Sequence, residues 1–186
     1  MKKPLIALFL TLSLLLNASA ITYGVYDIAQ TMTNKPLTYE EIFVDQTSAK
    51  GWVGSTKKSV YDFCMATQRK GRIPVINIEP FSPGNPLDEI LNGERDNEIA
   101  KIALQLGHYG GPAVICWGHE AENVGYPWGG KEPDKYVAAF RYVVEYLRKY
   151  NPQQKLSFMW SPIGHANGTK YYPGSHYVRL RRLLGF

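Results

Sequence analysis

Cysteine is scarce in this chain: Cys64 and Cys116 are the only two in 186 residues. Two cysteines cannot staple a small disulfide scaffold, so the fold has to rest on a hydrophobic core. They fall in different predicted elements, a helix and an inner strand, and are expected to be two buried free thiols. Long apolar runs are missing after residue 20, so nothing beyond that point reads as a membrane span. No Gly-rich phosphate loop follows the first strand-like run, which removes the main support for a dinucleotide fold. An excess of one charge sign is lacking as well. Of the formal net charge of +5, Lys2 and Lys3 supply two units and Arg179, Arg181 and Arg182 the rest. The body of the chain is near neutral, so its substrate need not be anionic, and one terminal basic cluster without a motif does not point to nucleic acid.

What is present is ordinary globular composition with an aromatic surplus. Apolar residues make up 45% and charged residues 20%, which sets disorder and fibrous classes aside and leaves one domain as the expectation. The 13 Tyr and 4 Trp either fill a core or supply the flat apolar faces with polar edges that sugar-binding clefts need. The first twenty residues read as a leader. Lys2 and Lys3 form a basic segment, residues 5–16 are apolar but too short to span a bilayer comfortably, and Ala18-Ser19-Ala20 is a small-residue cleavage site. Residues 1–20 are therefore expected to be a signal peptide, or an uncleaved anchor, and residues 21–186 the exported domain, secreted or periplasmic and off the membrane once the leader is removed.

Strand-like runs alternate with helical ones. The strands are expected at 23–26, 42–44, 74–78, 113–117 and 156–160. Val137, Phe140, Val144 and Leu147 recur at helical spacing after Pro133-Asp134, and Asn151-Pro152 stops that helix. Ile99, Ala103 and Leu106 form a second stripe, closed by Gly107. A third helix covers 59–68, and Asn85-Pro86 opens a further turn. Alternation of this kind means βαβ units and a parallel sheet. Asp27, Asp45, Glu79, Glu120 and Ser161 fall at the C-terminal ends of strands, where (β/α)8 barrels keep their chemistry. The fold class is thus α/β of the TIM-barrel type, with about five βα units. It is expected to be incomplete, because the chain after residue 20 is shorter than the roughly 200 residues such barrels need.

The chemistry concentrates in Cys116-Trp117-Gly118-His119-Glu120-Ala121-Glu122-Asn123 and Tyr126-Pro127-Trp128-Gly129. A carboxyl at a strand end beside His and Trp suits glycoside cleavage, in which one carboxyl gives its proton to the leaving oxygen and an apolar wall helps it keep that proton. The plain alternative is that His119 and Glu120 only cap the next segment. A metal-dependent hydrolase using His119, Glu120 and Glu122 is a further alternative. However, the pair matches only half of H-E-x-x-H, position 123 is Asn, and the segment reads as a strand end, so no metal and no cofactor are expected.

Residues 117–123 together with Tyr126-Pro127-Trp128 resemble the acid/base strand and loop of glycoside hydrolase family 26. Tyr23-Gly24-Val25-Tyr26-Asp27, Ile42-Phe43-Val44-Asp45, Ile78-Glu79-Pro80-Phe81, Phe140-Arg141, Met159-Trp160-Ser161-Pro162 and Tyr171-Tyr172-Pro173-Gly174 with Tyr177-Val178 are similar to it in order. The resemblance implies a TIM-barrel hydrolase that cleaves β-linked mannan, glucan or xylan chains by a retaining mechanism. It implies Glu120 as general acid/base and His119, Glu79, Trp128, Trp160 and Tyr126 as substrate-binding residues. Cys116 and Ala121 depart from the family's frequent Arg and Met. The family's nucleophile is a second Glu on the seventh strand, and the chain ends soon after the fifth expected one, so hydrolysis is expected to be impaired. A non-catalytic carbohydrate-binding protein, a truncated pseudoenzyme and a dimer of half-barrels are the alternatives.

The tail fits this expectation. One nucleotide inserted ahead of codons for Asp-Tyr-Val-Gly-Phe-Ser-Val, the family-like continuation, can read out as the Arg-Leu-Arg-Arg-Leu-Leu-Gly found at 179–185. A frameshift is therefore expected there. The alternative is that the basic tail ends a helix.

Overall fold

The computed structural model describes residues 24–26, 37–46, 52–53, 58–151 and 155–181. The leader and Asp27 lie outside these residues. The elements run β1 (Gly24–Tyr26), β2 (Tyr39–Asp45), β3 (Trp52–Val53), β4 (Lys58–Ser59), α1 (Val60–Arg69), β5 (Ile73–Glu79), α2 (Pro86–Leu91), α3 (Asp96–Tyr109), β6 (Ala113–Trp117), α4 (Pro133–Tyr150), β7 (Leu156–Trp160) and β8 (Leu180–Arg181). A short 3-10 turn, Gly168–Tyr171, precedes β8. The sheet order is β4-β3-β2-β5-β6-β7-β8, with β1 also on β2. The pairs β1–β2, β2–β5, β5–β6, β6–β7 and β7–β8 are parallel, as βαβ alternation requires.

All five expected strands form. Leu180–Arg181 adds a sixth parallel strand, so the start of the basic tail pairs with β7 rather than ending a helix. Residues 182–186, which carry the rest of the frameshift expectation, lie outside the described residues. The antiparallel β3–β4 hairpin was not expected. It lies beside Val44 on β2, beyond the stretch that β1 covers. Among the described residues β8 pairs only with β7, so the sheet does not close.

Alternation along each strand divides the side chains between two faces. Ile42, Val44, Ile76, Ile78, Ile115, Trp117, Phe158 and Trp160 join the main core. There they meet Phe63 of α1, Ile99, Ala103 and Leu106 of α3, and Phe140, Val144 and Leu147 of α4. Full burial of each large aliphatic contributes about 1.5–3 kcal/mol. Val75, Val114, Cys116 and Met159 belong to a second cluster on the opposite, concave face. Cys64 and Cys116 are both buried and free, as the sequence suggested. Burial alone pushes the Cys64 thiol up to about 12.

Local chemistry explains the element ends. The Ser59 hydroxyl accepts the Asp62 N–H at 3.0 Å and caps α1. Asn85 does the same for Leu87 at 3.0 Å, with Pro86 in the first position of α2. The expected stop of α3 at Gly107 needs correction: the helix continues to Tyr109 and ends on Gly110, whose φ of 63° supplies the left-handed cap. Gly107 instead sits where α4 ends, with Asn151 3.6 Å from the position a Cβ would take. β2 begins three residues earlier than its apolar run. Glu40, fully buried, is held there by Arg72 at 2.7 Å and Lys70 at 2.9 Å. Among the described residues no helix is long and apolar enough to cross a membrane.

Candidate active site

The C-terminal ends of β2, β5, β6 and β7 converge. Asp45 and Glu79 are register partners on adjacent strands. Backbone bonds tie the ends together: Gln46 N to Glu79 O at 2.9 Å, Gly118 N to Ile78 O at 2.9 Å, and Glu120 N to Ser161 O at 2.7 Å. Glu79 alternates in step with Val75, which puts it on the concave face. Burial, and then the negative charge of Asp45, hold its carboxyl above the ordinary carboxylate range.

After Trp117 the chain turns sharply. Gly118 and Glu120 both take left-handed backbone, with φ of 55° and 52°. A Cβ at Gly118 would lie 3.1 Å from the Tyr136 ring and 3.3 Å from Trp128. Tyr136, buried in α4, donates its hydroxyl to Gly118 O at 2.9 Å and so fixes the turn from below. Glu120 is the only non-glycine among the described residues with positive φ. Such backbone costs on the order of 1–3 kcal/mol and persists where the surroundings over-determine it.

His119 is 7% exposed, with its ring edge-on to Phe43 at 5.3 Å. Its Nε2 lies 3.1 Å from the Tyr126 hydroxyl. Trp128 donates its indole N–H to His119 O at 2.9 Å and stacks on Tyr126 at 4.5 Å, so the loop folds back over its own start. Asn123 donates to Glu120 Oε2 at 3.2 Å. The loop is tight: a Cβ on Gly129 would fall 2.3 Å from Asn123 O. The Tyr126 phenol is pushed up by burial and then by the charges of Glu120 and Glu79, which places both carboxyls in its neighbourhood.

Of the residues expected at the site, the structure therefore gathers Glu120, Glu79, His119 and Tyr126. Trp128 and Trp160 are placed differently. They are 1% and 2% exposed, belong to the main core, and offer no open ring face. The exposed aromatics beside them are Phe81, edge-on to Trp128 at 5.0 Å, and Tyr172, 5.2 Å from Trp160. The expectation did not single these two out, although both sit in the segments that carried the resemblance. Glu122 is also placed apart. It is 4% exposed, accepts the Gly164 N–H at 3.0 Å, and bolts the β6 loop to the β7 loop. Among the described residues no group of three His, Cys, Asp or Glu could hold a metal ion. The Tyr171-Tyr172-Pro173-Gly174 segment docks on α4: Tyr171 is buried against Tyr136, and Arg141 donates to Pro173 O at 2.9 Å.

Comparisons with known proteins agree with this geometry. The Glycosyl hydrolase family 26 model matches residues 60–185, more than half of the chain. Endoglucanase H of Acetivibrio thermocellus is 26% identical over 216 aligned positions, which take in 100% of this chain and 23% of that protein. A beta-1,3-xylanase of a Vibrio species is 22% identical over 102 positions, 52% of this chain and 22% of that protein. Among solved structures, a modular endo-beta-1,4-mannanase from Cellulomonas fimi superposes with a TM-score of 0.64 at 16% identity, covering 80% of this chain and 41% of that one. A family 26 beta-mannanase from Bacteroides ovatus gives 0.60 at 13% identity, covering 77% and 50%. The chain thus spans about a quarter of the length of these curated relatives and half or less of these solved ones. Its α/β arrangement is that of family 26 TIM-barrel enzymes, matched in part. The chain belongs to glycoside hydrolase family 26.

Proposed function

We propose that this chain carries the acid/base half of a retaining β-glycoside hydrolase site for mannan-, glucan- or xylan-type polysaccharide, with Glu120 as the proton donor. The observation that carries this reading is the strained turn at the end of β6. It presents Glu120 from a left-handed backbone, bonded at its N–H to Ser161 O, beside Glu79, His119 and Tyr126. In the reaction Glu120 gives its proton to the departing glycosidic oxygen while a carboxylate attacks the anomeric carbon. Glu120 then takes a proton from the water that releases the sugar. Glu79, His119 and Tyr126 hold sugar hydroxyls. Trp128 backs His119 and keeps water from that side, and Trp160 supports the cleft wall from the core.

Retention requires a second carboxyl about 5–5.5 Å from the first. The family resemblance puts it on a seventh strand, whereas the parallel strands among the described residues number six. Hydrolysis is therefore proposed to be impaired unless that carboxyl comes from outside the described residues. This strand count favours a second reading, in which the chain binds β-linked oligosaccharide without cleaving it. Export to the periplasm or beyond, with removal of residues 1–20, is part of the proposal and is checked by N-terminal sequencing of the protein from its host.

The deciding experiment is hydrolysis of soluble β-mannan, β-glucan and xylan by the purified chain beside Glu120→Gln. Release of sugar that falls by about 10²–10⁴ in the variant establishes Glu120 as the acid. Equal release by both proteins removes Glu120 from the mechanism. Oligosaccharide binding without release selects the binding reading.

A further inference from the structure

Position 123, where a zinc motif would need His, holds Asn three residues after Glu120. Both side chains are half-buried. The Asn123 backbone is tied on both sides. Its N–H donates to Glu120 O at 2.8 Å, and its carbonyl accepts the Tyr126 N–H at 3.3 Å. Gly129 packs against that same carbonyl, so the residue cannot swing away without opening the loop. Its side chain is tied as well. Asn123 Oδ1 accepts the Gly125 N–H at 2.9 Å. A backbone N–H needs an acceptor, and an amide NH2 is none, so the carboxamide has one orientation. Nδ2 is thereby left as the donor to Glu120 Oε2, at 3.2 Å.

That orientation makes the two oxygens of Glu120 unequal. A protonated carboxyl has one O–H donor and keeps acceptor capacity on its other oxygen. Oε2 is occupied as an acceptor, so the proton belongs on Oε1. When the glycosidic bond breaks, its electron pair stays on the departing oxygen, which takes the Oε1 proton. The negative charge left on Glu120 then meets an N–H that already faces it. Hydrogen bonds to an ionised acceptor are about twice as strong as neutral ones. An interaction that tightens as charge develops lowers the barrier instead of only holding the ground state.

We propose that Asn123 is a positioning residue for Glu120: its amide holds Oε2 as an acceptor and leaves Oε1 to carry the proton toward the sugar. The role in proton transfer rests on the proposed function, whereas the bond between the two side chains does not.

NMR of the purified chain reads that bond without catalysis. Asn123→Ser is the informative variant, because a serine hydroxyl still accepts the Gly125 N–H while no amide is left to reach Glu120. The side-chain amide signal of Asn123, assigned by its loss in Asn123→Ser, is expected to shift in Glu120→Ala. The carboxyl carbon signal of Glu120, in protein labelled at glutamate, is assigned by its loss in Glu120→Gln. It is expected to move in Asn123→Ser while the other glutamate signals keep their places. Asn123→Asp, which retains an acceptor for Gly125, supplies the amide assignment if Asn123→Ser does not fold. An Asn123 amide indifferent to Glu120→Ala overturns the proposal, and so does a Glu120 signal indifferent to Asn123→Ser. Where the wild-type chain releases sugar from β-mannan, β-glucan or xylan, kcat is expected to fall about five-fold in Asn123→Ser with KM nearly unchanged. A rise in KM alone overturns the positioning role. No release by the wild type counts against hydrolysis in the proposed function, and the two NMR shifts then decide the hold of Asn123 on Glu120 by themselves.

Discussion

Glu79 and Asp45 stand side by side where two strands end, and the cost of that arrangement is measurable. The folded protein holds the Glu79 proton more tightly than the unfolded chain does. The stability tied to this group is therefore fully present below the ordinary carboxylate range, and is lost as pH rises through the raised folded value. Glu79→Gln is expected to melt above wild type at pH 7, with the difference closing as pH falls toward about 4. Thermal melts at the two pH values check this, and a lower midpoint at pH 7 would remove the strain assigned to the pair. Tyr126 offers a separate test. Tyr126→Phe deletes the hydroxyl 3.1 Å from His119 Nε2 and keeps the ring stacked on Trp128. It is expected to weaken oligosaccharide binding about 3–10-fold, with a melting midpoint near wild type. A large loss of stability would show that the bond serves the fold rather than the ligand.

At the scale of elements, the ends carry more information than the middles. Ser59→Ala removes the cap of α1 and is expected to cost about 1 kcal/mol in denaturant unfolding. Arg72→Met leaves Glu40 buried beside Lys70 alone, and about 3 kcal/mol is expected from the same measurement. The central strands were legible from their apolar runs, and α4 because the period of Val137, Phe140, Val144 and Leu147 lies between the start at Pro133 and the stop at Asn151. The first residues of β2 were not, because the apolar run starts at Ile42 and the partners that let Glu40 be buried, Lys70 and Arg72, come within reach only through the fold. The two-residue strands β3 and β4 hold no period at all. Gly107 looked like a stop because the Ile99 stripe fades there, yet only Gly110 takes the left-handed cap. The tryptophans were readable in part. Trp117 and Trp160 follow Ile115 and Phe158 by two residues, so strict alternation already puts them toward the helices, whereas the fold-back that buries Trp128 rests on a hydrogen bond to His119 O that no pattern announces.

At the scale of the whole molecule, the sheet of the described residues has β8 at one end, paired only with β7. A parallel edge of this kind offers unpaired backbone groups to another chain. Residues 21–186 alone are expected to associate as concentration rises, which sedimentation velocity reports. A monodisperse monomer that melts cooperatively at every concentration would show the edge to be protected. The same global balance bears on the backbone at Glu120. Glycine occupies a φ of 52° without the steric penalty that a side chain incurs, so Glu120→Gly is expected to raise the melting midpoint while abolishing the proton donation proposed for Glu120. Under selection for durability alone this position would drift to glycine. A side chain seated where the fold itself would favour glycine is a mark of the chemistry proposed for Glu120, legible in a torsion angle.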